Sequence, residues 1–293
     1  MTAATVRDHA RSATLPRRAF VAQIMGLPIS VHVRGPEAAS GVVVGWVEDL
    51  YDALRADEAM FSTWRPDSPV SRIKDGRDQL RDAHPRIREV AALCEIAGQR
   101  TGGSFSAWLP GPDGRVRFDP TGLVKGWAVE QAFGRLIERL GGLGPHDALV
   151  NAGGDIAVHS SRTDTPDWTI AIEDPRDRSR VLRSIALRTG AVATSGTAAR
   201  GHHITDPVTG RASDGLASAT IIGPGLTWAD VYATAAFVKG AKALAWIATL
   251  VDHAGVLVAR DGTVSTIRGT RSGRGHTPVG TTSNLRSSPE GSL

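Results

Sequence analysis

Apolar alternation interrupted by turns of only a few residues sets the first limit on what this chain can fold into. Residues 19–33 carry Phe20, Ala22 and Ile24, then Ile29, Val31 and Val33, about a Gly26-Leu27-Pro28 turn. Residues 148–158 run into and out of Gly153-Gly154, 181–187 and 191–194 flank Gly190, and 255–259 and 262–267 form a last pair. Short strands at 104–109 and 116–118 surround a Gly-Pro-Asp-Gly turn, and further strands fall at 165–175 and 216–222. Short turns join antiparallel neighbours, whereas parallel neighbours need a crossover of about a dozen residues or more. Helical spacing predicts helices over 36–60, 87–99, 126–140 and 227–250. The pattern therefore predicts an α+β fold, antiparallel sheets flanked by helices, and not a doubly wound parallel sheet. Residues 19–267 read as one folded domain, with disordered polar tails over 1–18 and 268–293.

A net charge of +4 would suit a polyanionic partner, but its distribution argues against one. The ends, 1–20 and 263–293, carry +3 each, which leaves the body at −2. No nucleic-acid partner is expected. Cys94 is the single cysteine, so an internal disulfide is excluded. It shares a helical face with Ile87, Val90 and Ala97, which suits packing, with a catalytic thiol as the alternative. No run of 18 apolar residues exists, so no transmembrane segment is expected. Arg17-Arg18 before an apolar stretch faintly resembles an export signal, but that stretch alternates like a strand. A cytoplasmic location is expected.

Residues 119–130, DPTGLVKGWAVE, bring Asp119, Gly122 and Lys125 to the start of the helix expected from Gly126. Helix N-termini favour phosphate, and a carboxylate beside a phosphate calls for a cation between them. A Mg-assisted phosphate site fits; an ordinary strand-turn-helix corner gives the same letters. Asp230 and Thr234 are four apart, so they share a helix face and offer Mg2+ two hard oxygen ligands. An acid complementing the helix dipole is the simpler account of Asp230. Asn151–Asp155, NAGGD, permits close backbone approach to a ligand or a tight hairpin. His202 and His203 both precede Asp206 in a polar loop, and either is a proton acceptor near neutral pH. ATSG around Ser195 lacks the glycine pattern of a hydrolase nucleophile elbow.

MGLPISV, FSTWRPDSPVSRI, TGGSF, DPTGLVKGWAVE, NAGGDI, TSG then HITDPVTG, and ADVYATAAFVKG follow one another over roughly residues 25–240. Their order resembles the FAD:protein FMN transferase family, also called ApbE-like. The resemblance implies a Mg-dependent enzyme with FAD as substrate. It would transfer the FMN moiety to a Thr or Ser hydroxyl of a target flavoprotein, forming a phosphodiester and releasing AMP. By the same resemblance, Asp230, Thr234 and a backbone carbonyl near Gly122 would hold Mg2+, and His203 would be the general base. Met25, Trp64, Ser104, Phe105, Ser106, Asp119, Lys125, Ile204 and Thr205 would line the FAD site, with Asp155 in support. Two departures stand out. Ser106 replaces an acid frequent in the family, and Thr197-Ala198-Ala199 follows TSG where many members carry a tyrosine. Trp64 is then the candidate to cover the flavin. A Mg-dependent FAD pyrophosphatase and a non-catalytic FAD-binding protein are the alternatives.

Overall fold

The structure, a computed structural model, describes residues 5–7, 16–111, 113–196, 204–211, 213 and 215–272. In chain order the first elements are β1 (Thr5–Arg7), β2 (Arg17–Ile24), β3 (Leu27–Arg34), α1 (Gly41–Phe61), α2 (Pro69–Lys74), α3 (Pro85–Arg100), β4 (Trp108–Pro110) and β5 (Val116–Phe118). Helix α4 (Thr121–Gly141) leads into β6 (Asp147–Ala152), β7 (Asp155–Ser160), β8 (Trp168–Asp174), β9 (Asp177–Leu187), β10 (Gly190–Gly196) and β11 (Leu216–Gly223). Helices α5 (Leu226–Lys239) and α6 (Ala243–Ile247) and strands β12 (Ala254–Ala259) and β13 (Val264–Arg268) complete the fold.

Eight strands form one antiparallel sheet in the order β13-β12-β11-β10-β7-β6-β3-β2, and β1-β8-β9 form a smaller one. Alternation along the large sheet divides its side chains between two cores. Ala148, Val150, Ala191, Ala193, Ala219 and Ile221 pack with the helices, whereas Leu149, Ile156, Val158, Val192 and Ile222 pack with Trp168, Ile170 and Ile185 of the small sheet. The inner strands are thus covered on both faces, which is why they read as continuous apolar runs. Helix α5 packs on β10 and β11 and is buried nearly all round, as a helix apolar on every side must be.

Several boundaries differ from the sequence reading. The first hairpin turns at Met25-Gly26, both at positive φ (56° and 68°), with Ile24 opposite Leu27. Such a turn matches the twist of its strands. Pro28 lies in β3 opposite Gln23, and its carbonyl accepts the Gly153 N–H at 3.2 Å. Helix α4 starts at Thr121, not Gly126, because Leu123, Val124 and Trp127 are also buried. Residues 69–74, read as turn, form α2, with Ser68 capping Ser71 N–H at 3.0 Å. The expected 227–250 helix breaks at Gly240, whose φ is 57°. Residues 104–107 are loop rather than strand. Within the expected N-terminal tail, Thr5–Arg7 pairs with β8 and β2 begins at Arg17. At the other end, Thr270 bridges Val251, and the Ser272 N–H donates to Asp252 Oδ1 at 2.9 Å. Cys94 is buried in α3, and burial pushes its thiol up to about 12, so it packs and does not react. No helix among the described residues is long and apolar enough to cross a membrane.

Candidate functional site

The start of α4 is tied down by Asp119. Its Oδ1 accepts Thr121 Oγ1–H at 2.6 Å and Thr121 N–H at 3.2 Å, and its Oδ2 accepts from Lys74 Nζ at 2.6 Å. Burial pushes the Asp119 carboxyl up, but the Lys74 and Thr121 hydrogen bonds and the Lys74 charge outweigh it, and the group ends below its ordinary value. Asp119 therefore joins the end of α2 to the first turn of α4. Gly122 and Lys125 lie inside that helix, not ahead of it. A Cβ at Gly122 would stand 3.0 Å from the Phe105 ring, so glycine lets the TGGSF loop close on α4.

One turn further along, α4 meets α5. A Cβ at Gly126 would sit 3.0 Å from Asp230 Cβ and 3.1 Å from both Asp230 Oδ2 and the Leu226 carbonyl. The N-terminus of α5 has no cap of its own, since Gly225 precedes it. Glu130 of α4 supplies one: its Oε2 accepts Thr227 N–H at 2.8 Å and also the Thr227 hydroxyl. An acid there complements the helix dipole as well. This packing sets Asp230 into a cleft against Lys125. The Lys125 ammonium lies 2.9 Å from Asp230 Oδ2 and also pairs with Asp155 Oδ2. Asp155 Oδ1 accepts Thr194 N–H at 3.0 Å, which fixes the acid to β10. Ser195 Oγ and Thr234 Oγ1 share a hydrogen bond of 3.1 Å. Asp230 Oδ2 is buried and, despite the nearby ammonium, has no hydrogen bond of good angle.

These side chains line two adjoining cavities. The smaller, of about 290 Å³, holds Ser104, Phe105, Ser106, Gly122, Asp155, Ile204, Thr205, Asp230 and Thr234. The larger, of about 770 Å³, holds Met25 and Trp64, the latter 92% exposed. Asp119 and Lys125 line both, as do Leu27 and Thr121. Every expected site residue that is described thus falls on one cavity or the other. His203, the expected base, lies outside the described residues, as does His202. The Ser106 hydroxyl is engaged locally, accepting from Trp108 N–H at 3.0 Å and donating to its carbonyl at 3.1 Å. Sequence reasoning missed Lys74, because nothing local pairs a lysine with an acid 45 positions on. It also missed Ser195 as the partner of Thr234, although the two hydroxyls of ATSG were visible. Among the described residues no three His, Cys, Asp or Glu side chains converge on one point.

Comparison with known proteins shows the family and the fold. The pattern of the ApbE family matches residues 106–258, just over half of the chain. The FAD:protein FMN transferase of Vibrio cholerae is 32% identical over 179 residues, 56% of this chain and 51% of that protein. The protein of the same name from Rhodobacter capsulatus is 31% identical over 159 residues, 51% of this chain and 29% of that one. The chain thus spans about half, or less, of the length of these curated relatives. The crystal structure of the ApbE protein from Thermotoga maritima aligns with 86% of this chain and 97% of its own, at a TM-score of 0.74 and 21% identity. The flavin transferase ApbE from Vibrio cholerae aligns with 87% and 98%, at a TM-score of 0.72 and 19% identity. These structural likenesses are of fold. Fold and sequence pattern together make this chain a member of the ApbE family.

Proposed function

We propose that the protein transfers the FMN moiety of FAD to a threonine or serine hydroxyl of a target flavoprotein, releasing AMP. The observation that carries this reading is the pair of adjoining cavities sharing Asp119, Thr121 and Lys125. A dinucleotide has two bulky ends joined by a charged diphosphate, and a double cavity with a lysine at the join suits that shape. The names of the sequence relatives support the same substrate.

The residues fit Mg2+. Asp230 Oδ2 is buried without a hydrogen bond, and Thr234 Oγ1 lies on the same cavity. Mg2+ needs few protein oxygens, because it retains water and takes phosphate oxygens. Asp230 and Thr234 would hold it; the Gly122 carbonyl, inside α4, has only its second lone pair to add. When bound, the ion neutralises charge on the diphosphate oxygens. Lys125 adds a positive charge at the join; in the structure it pairs with Asp155, which Thr194 fixes to β10. Trp64 presents an open aromatic face to the larger cavity, suited to stacking on a flat ring. Attack by the acceptor hydroxyl on the FMN phosphorus forms one P–O bond as the P–O bond to AMP breaks. His203 accepts the hydroxyl proton in this reading; Ile204 and Thr205, next in the chain, line the smaller cavity. The proposal includes a cytoplasmic setting for the reaction, tested by cell fractionation.

Incubation with FAD and Mg2+, with and without a flavin-acceptor domain bearing an accessible threonine, tests the reading. Acceptor gaining one FMN, with AMP released only in its presence, is the expected result. AMP and free FMN without acceptor would instead make the protein an FAD pyrophosphatase. FAD binding without turnover would make it a flavin-binding protein.

A further inference from the structure

Lys125 reaches from α4 between two carboxylates from other elements, Asp155 of β7 and Asp230 of α5. Both acids are buried, at 5% and 6% exposure. One ammonium between two carboxylates leaves a net negative charge. The oxygen that Lys125 approaches at 2.9 Å is the same Asp230 Oδ2 that lacks a hydrogen bond and lies on the smaller cavity beside Thr234. Two cations on one buried oxygen repel strongly, and salt screens such a site little. A divalent cation taken up by Asp230 and the present position of Lys125 therefore exclude each other.

Lys125 has somewhere to go. It also lines the larger cavity, and its flexible stem moves the charge without moving the backbone. Of the three acids on that cavity, Asp119 is taken by Lys74 at 2.6 Å and Asp57 by Arg86 at 2.7 Å, which leaves the single charge of Glu58. An incoming diphosphate supplies the missing negative charge. We propose that Lys125 is a displaceable counter-cation: its ammonium occupies the Asp155–Asp230 pair in the free protein and transfers to the diphosphate on binding, which opens Asp230 to the divalent ion. Diphosphate and metal then bind cooperatively, each tightening the other by the same factor. Lys125 is in this sense a positioning residue for the metal. The inference rests on the Mg2+ reading above.

The test uses the full chain and Mn2+ as probe, with free Mn2+ counted by electron paramagnetic resonance in the absence of nucleotide. Lys125→Met is expected to bind Mn2+ about tenfold more tightly than the wild type, since it removes the competing cation. In the wild type, Mn2+ is expected to raise the rate at which Lys125 is acetylated by a small reagent, read by mass spectrometry. Equal Mn2+ affinity in the variant, or a Lys125 labelling rate indifferent to Mn2+, overturns the proposal. The labelling arm decides alone if the variant does not fold. Asp230→Ala separates the two layers of the argument. Mn2+ binding that survives this change removes the metal assignment itself; binding lost with it, but unimproved in Lys125→Met, removes only the displacement.

Discussion

Gly126 of α4 lies directly against Asp230 of α5, and the gap between them takes a methyl group only if a neighbour gives by a few tenths of an ångström. Replacing Gly126 by alanine forces a shift of a few tenths of an ångström in the helix that carries Asp230 and Thr234. Overpacking of this kind costs about 1–3 kcal/mol. The expected outcome for Gly126→Ala is a lower melting temperature together with loss of FAD turnover. Unchanged turnover in a protein melting normally would show that the helix spacing does not set the site.

Glu130 holds the other end of the same contact by capping α5 at Thr227. Glu130→Ala should cost about 1 kcal/mol in denaturant unfolding, as lost caps do. Glu130→Gln, which keeps an acceptor oxygen, should recover part of that loss. Equal losses in both variants would mean that the charge, not the hydrogen bond, stabilises the helix start.

Asp230→Ala and His203→Ala separate two roles. The first should abolish FAD turnover with the fold intact, by about a hundredfold or more. The second should bind FAD yet fail to transfer FMN. Inactivity in His202→Ala, with His203→Ala active, would reassign the base to the other histidine.

Trp64 is exposed, so its removal should leave stability unchanged. Loss of ring stacking should weaken FAD binding about two- to tenfold in Trp64→Ala, with partial recovery in Trp64→Phe. Titration of flavin fluorescence reads both; identical affinities would take the indole out of the site.

The Lys74–Asp119 pair predicts a pH signature. The folded protein holds the Asp119 carboxyl below its ordinary value. Its stabilising contribution is therefore complete above the unfolded value of about 4 and is lost as pH falls through the lower folded value. Lys74→Met removes a hydrogen bond and a charge that lower the group and so raises it, and the acid limb of the stability curve should move to higher pH. Coincident acid limbs for the two proteins would contradict the pairing.

Much of this was legible in the sequence because the hairpin turns are short and chemically marked. Gly153 and Gly154 take the positive φ of a tight turn, 63° and 104°, as their spacing suggested. The start of α4 was not legible. Its early residues Leu123, Val124 and Trp127 are buried too, and an apolar stripe that wraps the helix blurs the period that marks its beginning. The end of α5 was hidden for a related reason: apolar residues continue through the break at Gly240 into α6. Within the site, Asp230 and Thr234 share a face by spacing alone. The union of Asp230 with Asp155 through Lys125 is tertiary, and no local pattern encodes it.

The double-sided cover of β10 has a consequence for how ligand binding will register in hydrogen exchange. This strand is bonded to β11 over Ala191–Gly196 and to β7 over Gly190–Val192; Ala191 and Ala193 face the helices, and Val192 faces the core that contains Trp168. Its amides should open only with the whole domain, the slowest class in the protein. Thr194, whose N–H is held by the buried Asp155 carboxylate, and Ser195, paired with Ala219 of β11, line the smaller cavity and are already protected before any ligand arrives. Added protection on binding should be confined to the rim around Trp64 and the 204–211 segment, so the deepest part of the site will be silent in such an experiment while its edge reports occupancy.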